Sequence, residues 1–382
     1  MSAGSGAPLD VLMLGPFPPP LGGVSVYVHR LDRLLTERGL RVGVLNHFRS
    51  SLASPQVIGT LDRNPIVYWR SLRRFPSRIV HYHHSRWSIL LSVAFAARMD
   101  KRPFLITLHG GNILDALRSR APLIPTLTRW ALRQFAEVMV ASREIAEALE
   151  ECVDQERLSV IPAFLDPVQA DPAGRPLDEE AERFLTEAAP ALVASAYRVS
   201  PTPEGDLYGL DVAVEIFLRI AEEIPTVRLA LFLALEPRGR RECNFLDSLM
   251  QRVTEAGKRG RLLIRIGAPL LPALRSNSIF LRPTRSDGDA VSVREALAYG
   301  VPVIATDAVE RPTGTRVCPV GDVDAMVEEV QRIVTNGGES SPRTPSAART
   351  FESTLISLYE RQLTMSDGIG SHVHSRAAIG GR

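Results

Sequence analysis

The stretch Val11–Leu45, VLMLGPFPPPLGGVSVYVHRLDRLLTERGLRVGVL, decides the fold. Val11–Leu14 is a short apolar run ending at Gly15-Pro16, the composition of a parallel strand buried on both faces. A Pro/Gly loop, Pro16–Gly23, leads into a segment from Ser25 to Arg38 that places Val28, Leu31, Leu34 and Leu35 on one helical face. Gly39 stands where a helix stops. Arg41–Leu45 is short and apolar again. Strand, loop, helix and strand make one β-α-β unit.

The same alternation continues outward. Ile79–His83, Phe104–Leu108, Val138–Ala141 and Val160–Pro162 read as strands with helical segments between them. They predict a parallel sheet covered on both faces over residues 1–165. Residues 166–190 hold four prolines and a cluster of acids, and read as a linker with one short helix. A second series fills residues 191–345. Its strands are Leu192–Ser195, Arg228–Leu233, Leu262–Ile266, Ser278–Leu281 and Val303–Thr306. Its helices are Gly209–Glu222, Phe245–Ala256, Ser292–Tyr299 and Asp324–Val334. Residues 346–365 have helical spacing, with Phe351, Leu355, Leu358 and Tyr359, and residues 366–382 read as a disordered tail. The expected fold class is α/β, with two Rossmann-like, doubly wound parallel-sheet domains.

Composition narrows the function. A chain of 382 residues, 45% hydrophobic and 23% charged, has room for two soluble cores. A net charge of +2 points to no nucleic-acid partner. The charge is uneven, however: residues 1–165 hold twenty of the 45 basic side chains and thirteen of the 43 acidic ones, so the first half is basic and the second acidic. A basic half suits an anionic contact. Only Lys101 and Lys258 are lysines. Cys152, Cys243 and Cys318 form no metal pattern or disulfide framework, which fits a reducing, cytoplasmic setting. The start lacks the basic n-region of a signal peptide. Ser88–Ala97, the longest apolar stretch, is about half of what a membrane-spanning helix needs.

In doubly wound sheets, ligands bind at the carboxyl ends of strands, and four loops there carry candidate chemistry. In the first, Gly22 and Gly23 precede a helix and let backbone amides approach an anion. It is not the dinucleotide pattern G-x-G-x-x-G. In the second, Thr107-Leu108-His109-Gly110-Gly111, the imidazole of His109 is suited to a sugar hydroxyl or to developing charge. His81, His83 and His84 end the preceding strand and suit structural roles. The third is Asp287-Gly288-Asp289-Ala290-Val291-Ser292, opening a helix that carries Glu295. Amides from Ala290 to Ser292 form an anion site at a positive dipole end, with Asp289 as a helix cap. Glu295 is within reach of ribose hydroxyls, and Asp287 of a sugar. The fourth, Ala194–Leu210, includes Tyr197, Arg198, Tyr208 and Gly209, with Arg198 suited to clamping a diphosphate.

Together these residues resemble glycosyltransferase family 4, retaining enzymes of the GT-B fold, over Val11 to about Leu363. The resemblance is strongest at Arg282–Thr306, RPTRSDGDAVSVREALAYGVPVIAT. There an acidic residue eight positions before a glutamate precedes an Ala-Leu-Ala-x-Gly-x-Pro-Val run. Gly22-Gly23-Val24, Thr107–Gly110, Phe135–Leu149 and the Phe351–Tyr359 helix match further family segments, the last being a helix that crosses back to the N-terminal domain. The resemblance implies two domains facing across a cleft and retaining transfer from a nucleotide sugar. It implies His109, Asp287 and Arg198 as catalytic residues. For the donor it implies Gly22, Gly23, Gly110, Tyr208, Gly288, Asp289, Ala290, Val291, Ser292 and Glu295. No metal or other cofactor is expected, because amides and basic side chains neutralise the leaving group. Two departures stand out. Asp287 replaces the usual glutamate, and Tyr208-Gly209 replaces the Lys-Gly whose lysine holds the diphosphate.

The resemblance suggests a hexosyltransferase acting on a saccharide or lipid-linked acceptor in bacterial cell-envelope or exopolysaccharide synthesis. A nucleotide-sugar epimerase would need acid/base carboxylates beyond Asp287 and Glu295. A nucleotide-sugar-binding pseudoenzyme draws on the missing lysine and the shortened acid. Arg63–Trp87 interleaves Arg70, Arg73, Arg74, Arg78 and Arg86 with Tyr68, Trp69, Phe75 and Trp87. This suits anionic lipid headgroups and a peripheral place at the inner face of the plasma membrane.

Overall fold

The computed structural model describes residues 8–19, 22–47, 57–60, 65–84, 86–110, 112–162, 164–165, 176–287, 291–336 and 351–366. The described residues gather into two compact units, one within 8–19, 24–165 and 351–366, the other within 22–23 and 176–336.

The first unit runs β1 (Leu9–Gly15), α1 (Gly23–Glu37), β2 (Val42–Asn46), β3 (Val57–Thr60), α2 (Pro65–Arg74), β4 (Ser77–His84), α3 (Trp87–Met99) and β5 (Phe104–Leu108). It continues with α4 (Asn112–Leu117), α5 (Leu123–Leu132), β6 (Glu137–Val140), α6 (Arg143–Leu149) and β7 (Leu158–Val160). Its seven strands are parallel, in the order β3-β2-β1-β4-β5-β6-β7. The order reverses at β1/β4, the switch point where such sheets open a ligand crevice. β1 is buried along nearly its whole length, as its unbroken apolar run requires. One core packs Leu12, Leu14 and Tyr82 against α2, α3 and α5. On the other sheet face Val11, Met13 and Ile79 pack under α1 and under Leu355, Leu358 and Tyr359 of the 351–366 helix. That helix therefore belongs to the first core. Strand β3 was not foreseen. It is a four-residue edge with a glycine in it, too short for a periodic signal.

The second unit begins with α7 (Glu179–Thr186), followed by β8 (Ala191–Ala196) and a small hairpin, β9 (Pro201–Thr202) with β10 (Gly205–Asp206). Then come α8 (Leu210–Glu223), β11 (Arg228–Leu233), α9 (Gly239–Glu255), β12 (Leu262–Ile266) and β13 (Ser278–Arg282). The series ends with α10 (Val291–Ala298), β14 (Val303–Thr306), β15 (Thr315–Cys318) and α11 (Val323–Thr335). The parallel order is β12-β11-β8-β13-β14-β15. Helix α7 falls in the stretch expected to link the domains, and it packs here: Ala181, Phe184 and Leu185 join the core over β8 and β11. Asp178 caps it by accepting from the Ala181 N–H at 2.9 Å. Residues 166–175 of that stretch lie outside the described residues, as do 367–382 of the expected 366–382 tail; Ser366 belongs to the 351–366 helix. Helix α9 starts at Gly239, six residues before the apolar pattern shows, because its first turns are polar and exposed.

Candidate active site

In the first unit, the carboxyl ends of β4 and β5 gather an imidazole array. Alternation along β4 sends His81 and His83 to one face, their rings 4.1 Å apart. A Cβ on Gly15 would lie 3.0 Å from the His83 Cβ, so the glycine of β1 makes room for that ring. His81 Nε2 lies 2.8 Å from Thr107 Oγ1 and its Nδ1 bonds the Tyr359 hydroxyl. Thr107 Oγ1 itself donates to Met139 Sδ, so it accepts from His81, and Tyr359 donates to the bare Nδ1. Burial, helped by the neighbouring His109, pushes His81 down to about 3. His83 is likewise held well below its ordinary value, by burial first and then by His81, His109 and His47.

A neutral His83 has one N–H to place. Among the described residues its Nε2 is buried without a partner, whereas its Nδ1 lies 3.2 Å from His109 Nε2. A buried unpaired N–H costs more than a buried unpaired lone pair, so the proton belongs on Nδ1 and His83 donates to His109. His109 then accepts at Nε2 and carries its own proton on Nδ1. It is half-buried, with the Tyr27 ring 5.2 Å away, edge-on. Burial raises the Tyr27 hydroxyl, which stays uncharged. Among the described residues a Cβ on Gly110 would meet nothing within 4 Å. Gly22 and Gly23 stand at the start of α1.

In the second unit the strand ends collect arginines. Arg282, the last residue of β13, bonds Asp287 through both nitrogens of one edge: Nε to Oδ2 at 2.9 Å and Nη2 to Oδ1 at 2.8 Å. Its Nη1 donates to the Ser195 carbonyl at 3.0 Å. Arg311 adds a third bond, Nη1 to Asp287 Oδ2 at 2.9 Å, and among the described residues its Nη2 is buried without a partner. The three side chains are 9%, 7% and 2% exposed for Arg282, Asp287 and Arg311. Burial opposes the charge on Asp287, but Arg282 and then Arg311 outweigh it and hold the carboxyl below its ordinary value. Asp287 in turn keeps the buried Arg282 charged. The cluster carries one net positive charge. Asp287, expected to contact a donor sugar, thus spends both oxygens on arginines.

Tyr208 lies where a lysine was missed, and the Arg282 guanidinium sits 5.4 Å from its ring centroid. Next to it Gly209 has φ 73°, and a Cβ there would fall 2.0 Å from the Pro283 carbonyl oxygen, so only glycine fits. Asp206 secures this loop, accepting from the N–H groups of Ser200 and Tyr208 at 2.6 and 2.9 Å. Arg198 points elsewhere than Asp287. Its Nη2 bonds Glu242 Oε1 at 2.8 Å, and its Nε is buried and unpaired among the described residues. Arg198, Arg238, Arg240 and Arg241 line one cleft of about 330 Å³ at the start of α9, with Glu242 the only acid among its lining residues. Glu295 is 6% exposed on α10, and Val291 and Ser292 begin that helix. Gly288, Asp289 and Ala290 lie outside the described residues. Among the described residues no group of His, Cys, Asp or Glu is arranged to hold a metal ion.

Residues 21–169 match the model of Glycosyltransferase Family 4, and residues 205–336 match Glycosyl transferases group 1. The chain is a glycosyltransferase of the family 4 type. Solved structures agree with the GT-B fold. Sucrose-phosphate synthase from Thermosynechococcus elongatus is 16% identical, with TM-score 0.63, covering 96% of this chain and 100% of that one. Anabaena HepE in complex with UDP is 15% identical, with TM-score 0.60 and the same coverage. Trehalose 6-phosphate synthase from Burkholderia multivorans is 12% identical, with TM-score 0.59, covering 97% and 99%. No curated protein matches this glycosyltransferase by sequence.

Sequence reasoning missed Arg311, Glu242 and His83 as partners of the expected residues. Arg311 is far along the chain from Asp287 and carries no motif. The run Arg238-Gly239-Arg240-Arg241 was a visible signal of the basic cleft.

Proposed function

We propose that this glycosyltransferase moves a sugar, with retention at the anomeric carbon, from a nucleoside-diphosphate donor to a saccharide or lipid-linked acceptor of the cell envelope or an exopolysaccharide. The bond from the anomeric carbon to the diphosphate oxygen breaks, and the acceptor hydroxyl oxygen takes its place. The hydroxyl proton leaves with the nucleoside diphosphate. The observation that carries the reading is the excess of arginine over carboxylate at the strand ends of the second unit. Six arginines (198, 238, 240, 241, 282 and 311) stand against Asp287 and Glu242 in the two clusters. A leaving diphosphate is anionic, and fixed cations stabilise it without a metal ion.

Within this reading Arg198 and its cleft serve the diphosphate, assisted by backbone amides at Gly22, Gly23, Val291 and Ser292. Glu295 takes the ribose hydroxyls. His109 donates from Nδ1 to the donor sugar. Asp287 acts by holding Arg282 and Arg311 in place. A cytoplasmic setting supplies nucleotide sugars. Because HepE is solved with UDP and with UDP-glucose, uridine donors are the first to try. A thermal-shift series with UDP, GDP and their sugars, in EDTA, should raise the melting temperature for the right base. NMR of the product made on a soluble acceptor extract should then show the donor's anomeric configuration. An inverted product, or a strict need for added manganese or magnesium, refutes the reading. The closed pairing of Asp287 and the absence of the lysine favour a second reading, a nucleotide-sugar-binding pseudoenzyme. It predicts the thermal shift with no turnover on any acceptor.

A further inference from the structure

Helices α2, α3 and α5 lie side by side on one face of the first sheet, α3 packing against both neighbours. Their inward residues are apolar, as expected. Part of their outward side is apolar too. Leu123, Leu127 and Trp130 follow one another at helical spacing along α5, and Leu123 is 71% exposed. Phe95 and Met99 project from α3 at 46% and 58%, and Ile66 from α2 at 59%. The indole N–H of Trp87, at the start of α3, donates to Thr128 Oγ1 at 2.8 Å and ties α3 to α5. Six large apolar side chains on three neighbouring helices exceed the scatter of single exposed residues that a free surface tolerates.

The charge on the same helices has one sign. No aspartate or glutamate occurs in α2, α3 or α5, while Arg70, Arg73, Arg74, Arg98 and Arg129 do, all exposed. The Arg73 guanidinium lies over the Trp69 ring at 4.9 Å, the pairing of a cation with an amphipathic ring common at headgroup level. The surface differs from the Arg63–Trp87 stripe expected from sequence. Tyr68 is fully buried, and Arg78 is spent on Asp10 at 3.1 Å and on the Leu363 carbonyl. The exposed arginines that remain are joined by apolar residues from α3 and α5, which the linear stripe did not contain.

We propose that the outward face of α2, α3 and α5 docks on an anionic lipid bilayer, the apolar side chains entering the headgroup–acyl boundary and the arginines binding lipid phosphates. A protein partner or a second copy would need acids to meet five arginines, and an apolar crevice to take Leu123 and Trp130; an anionic bilayer offers both over its whole area. Among the described residues no helix is long and apolar enough to cross a membrane, so the contact is peripheral. Docking places the first unit against a lipid-linked acceptor; that consequence alone rests on the proposed function.

Flotation of the full chain with vesicles tests it. Wild type should float with phosphatidylcholine vesicles containing phosphatidylglycerol, and bind at least tenfold more weakly to phosphatidylcholine alone. Raising the salt should weaken binding, since headgroup attraction decays within a Debye length of about 8 Å at physiological salt. Leu123→Ser/Leu127→Ser and, separately, Phe95→Ser/Met99→Ser should each cut binding at least fivefold at low salt, and Arg70→Gln/Arg73→Gln/Arg74→Gln likewise. Circular dichroism should show all three folded. If wild type stays unbound at low salt, or if the serine variants bind as wild type does, the proposal fails. Concentration-dependent dimerisation abolished by the serine variants would also overturn it. Donor turnover on a soluble acceptor, measured without vesicles, should be unchanged in every variant. Loss of turnover in wild type would count against the proposed function and leave the docking result standing.

Discussion

Asp287→Asn removes one charge and no volume, and its cost can be worked from three bonds. The carboxylate takes 2.9 and 2.8 Å bonds from Arg282 and a 2.9 Å bond from Arg311, and water reaches little of any of the three side chains. An amide keeps one acceptor oxygen and turns the other contact into donor against donor. Two guanidinium groups then remain buried without a counter-charge. Breaking a buried pair by removing one partner costs about 3–5 kcal/mol, and the second stranded arginine puts the expectation in the upper half, about 4–5 kcal/mol. For a unit of this size the melting transition should fall on the order of 10 °C. Differential scanning calorimetry of both chains at pH 7.5 would measure it. Adding Arg311→Met to Asp287→Asn should recover part of the loss, as coupled neighbours do. The pH sign also follows. The two arginines hold the folded carboxyl below its unfolded value, so the stabilisation is complete above the unfolded pKa and is lost as pH falls through the folded one. The gap between wild type and variant should therefore close in strong acid. A loss under about 1 kcal/mol at pH 7.5 would mean that the cluster is open to water, and the account of Asp287 would be wrong.

His83→Leu removes the N–H that orients His109 and should lower kcat roughly tenfold with little change in donor KM, whereas His83→Asn, which keeps a donor near the same place, should restore most of it; equal loss in both would make His83 a packing residue only. Glu295→Gln should weaken nucleotide binding, because an amide holds ribose hydroxyls less strongly than a carboxylate; calorimetric titration with unchanged affinity would remove Glu295 from the site. Burial raises Asp32 from 3.8 to about 6, with its Oδ1 unpaired among the described residues. Its contribution to folding is present below the unfolded value and is lost as pH rises through 6, so Asp32→Asn should stabilise the chain by up to about 3 kcal/mol at pH 7.5 and by much less at pH 4. Melting curves at the two pH values that show the same difference would contradict this.

The fold was legible because each buried parallel strand must be an apolar run and each covering helix must show a 3.6-residue period, and both are local properties of the chain. Val11–Leu45 carries them, and so does Arg282–Thr306, where the turn chemistry and the acidic spacing identify the family. The edge strands β3 and β15 escaped notice because a half-exposed strand of four residues leaves too few apolar positions to count. Helix α7 reads as part of a linker because its three acids match its three apolar residues in number, yet Ala181, Phe184 and Leu185 suffice to seat it on the second sheet.

The candidate site residues divide in the same way. His109, Asp287, Arg198 and Glu295 could be named from their places at strand ends, because topology alone assigns loops to the ligand side of a parallel sheet. The protein groups that hold His109, Asp287 and Arg198 follow from distances between residues far apart in sequence. Arg311 reaches Asp287, Glu242 takes Arg198, His83 sets the tautomer of His109, and Tyr359 closes on His81 from the far end of the chain. Charge pairing and proton placement depend on separations of about 3 Å, and no periodicity encodes such a separation. The one-signed apolar face of α2, α3 and α5 has the same origin: each helix by itself offers only one to three exposed apolar side chains, and only side-by-side packing joins them into one surface.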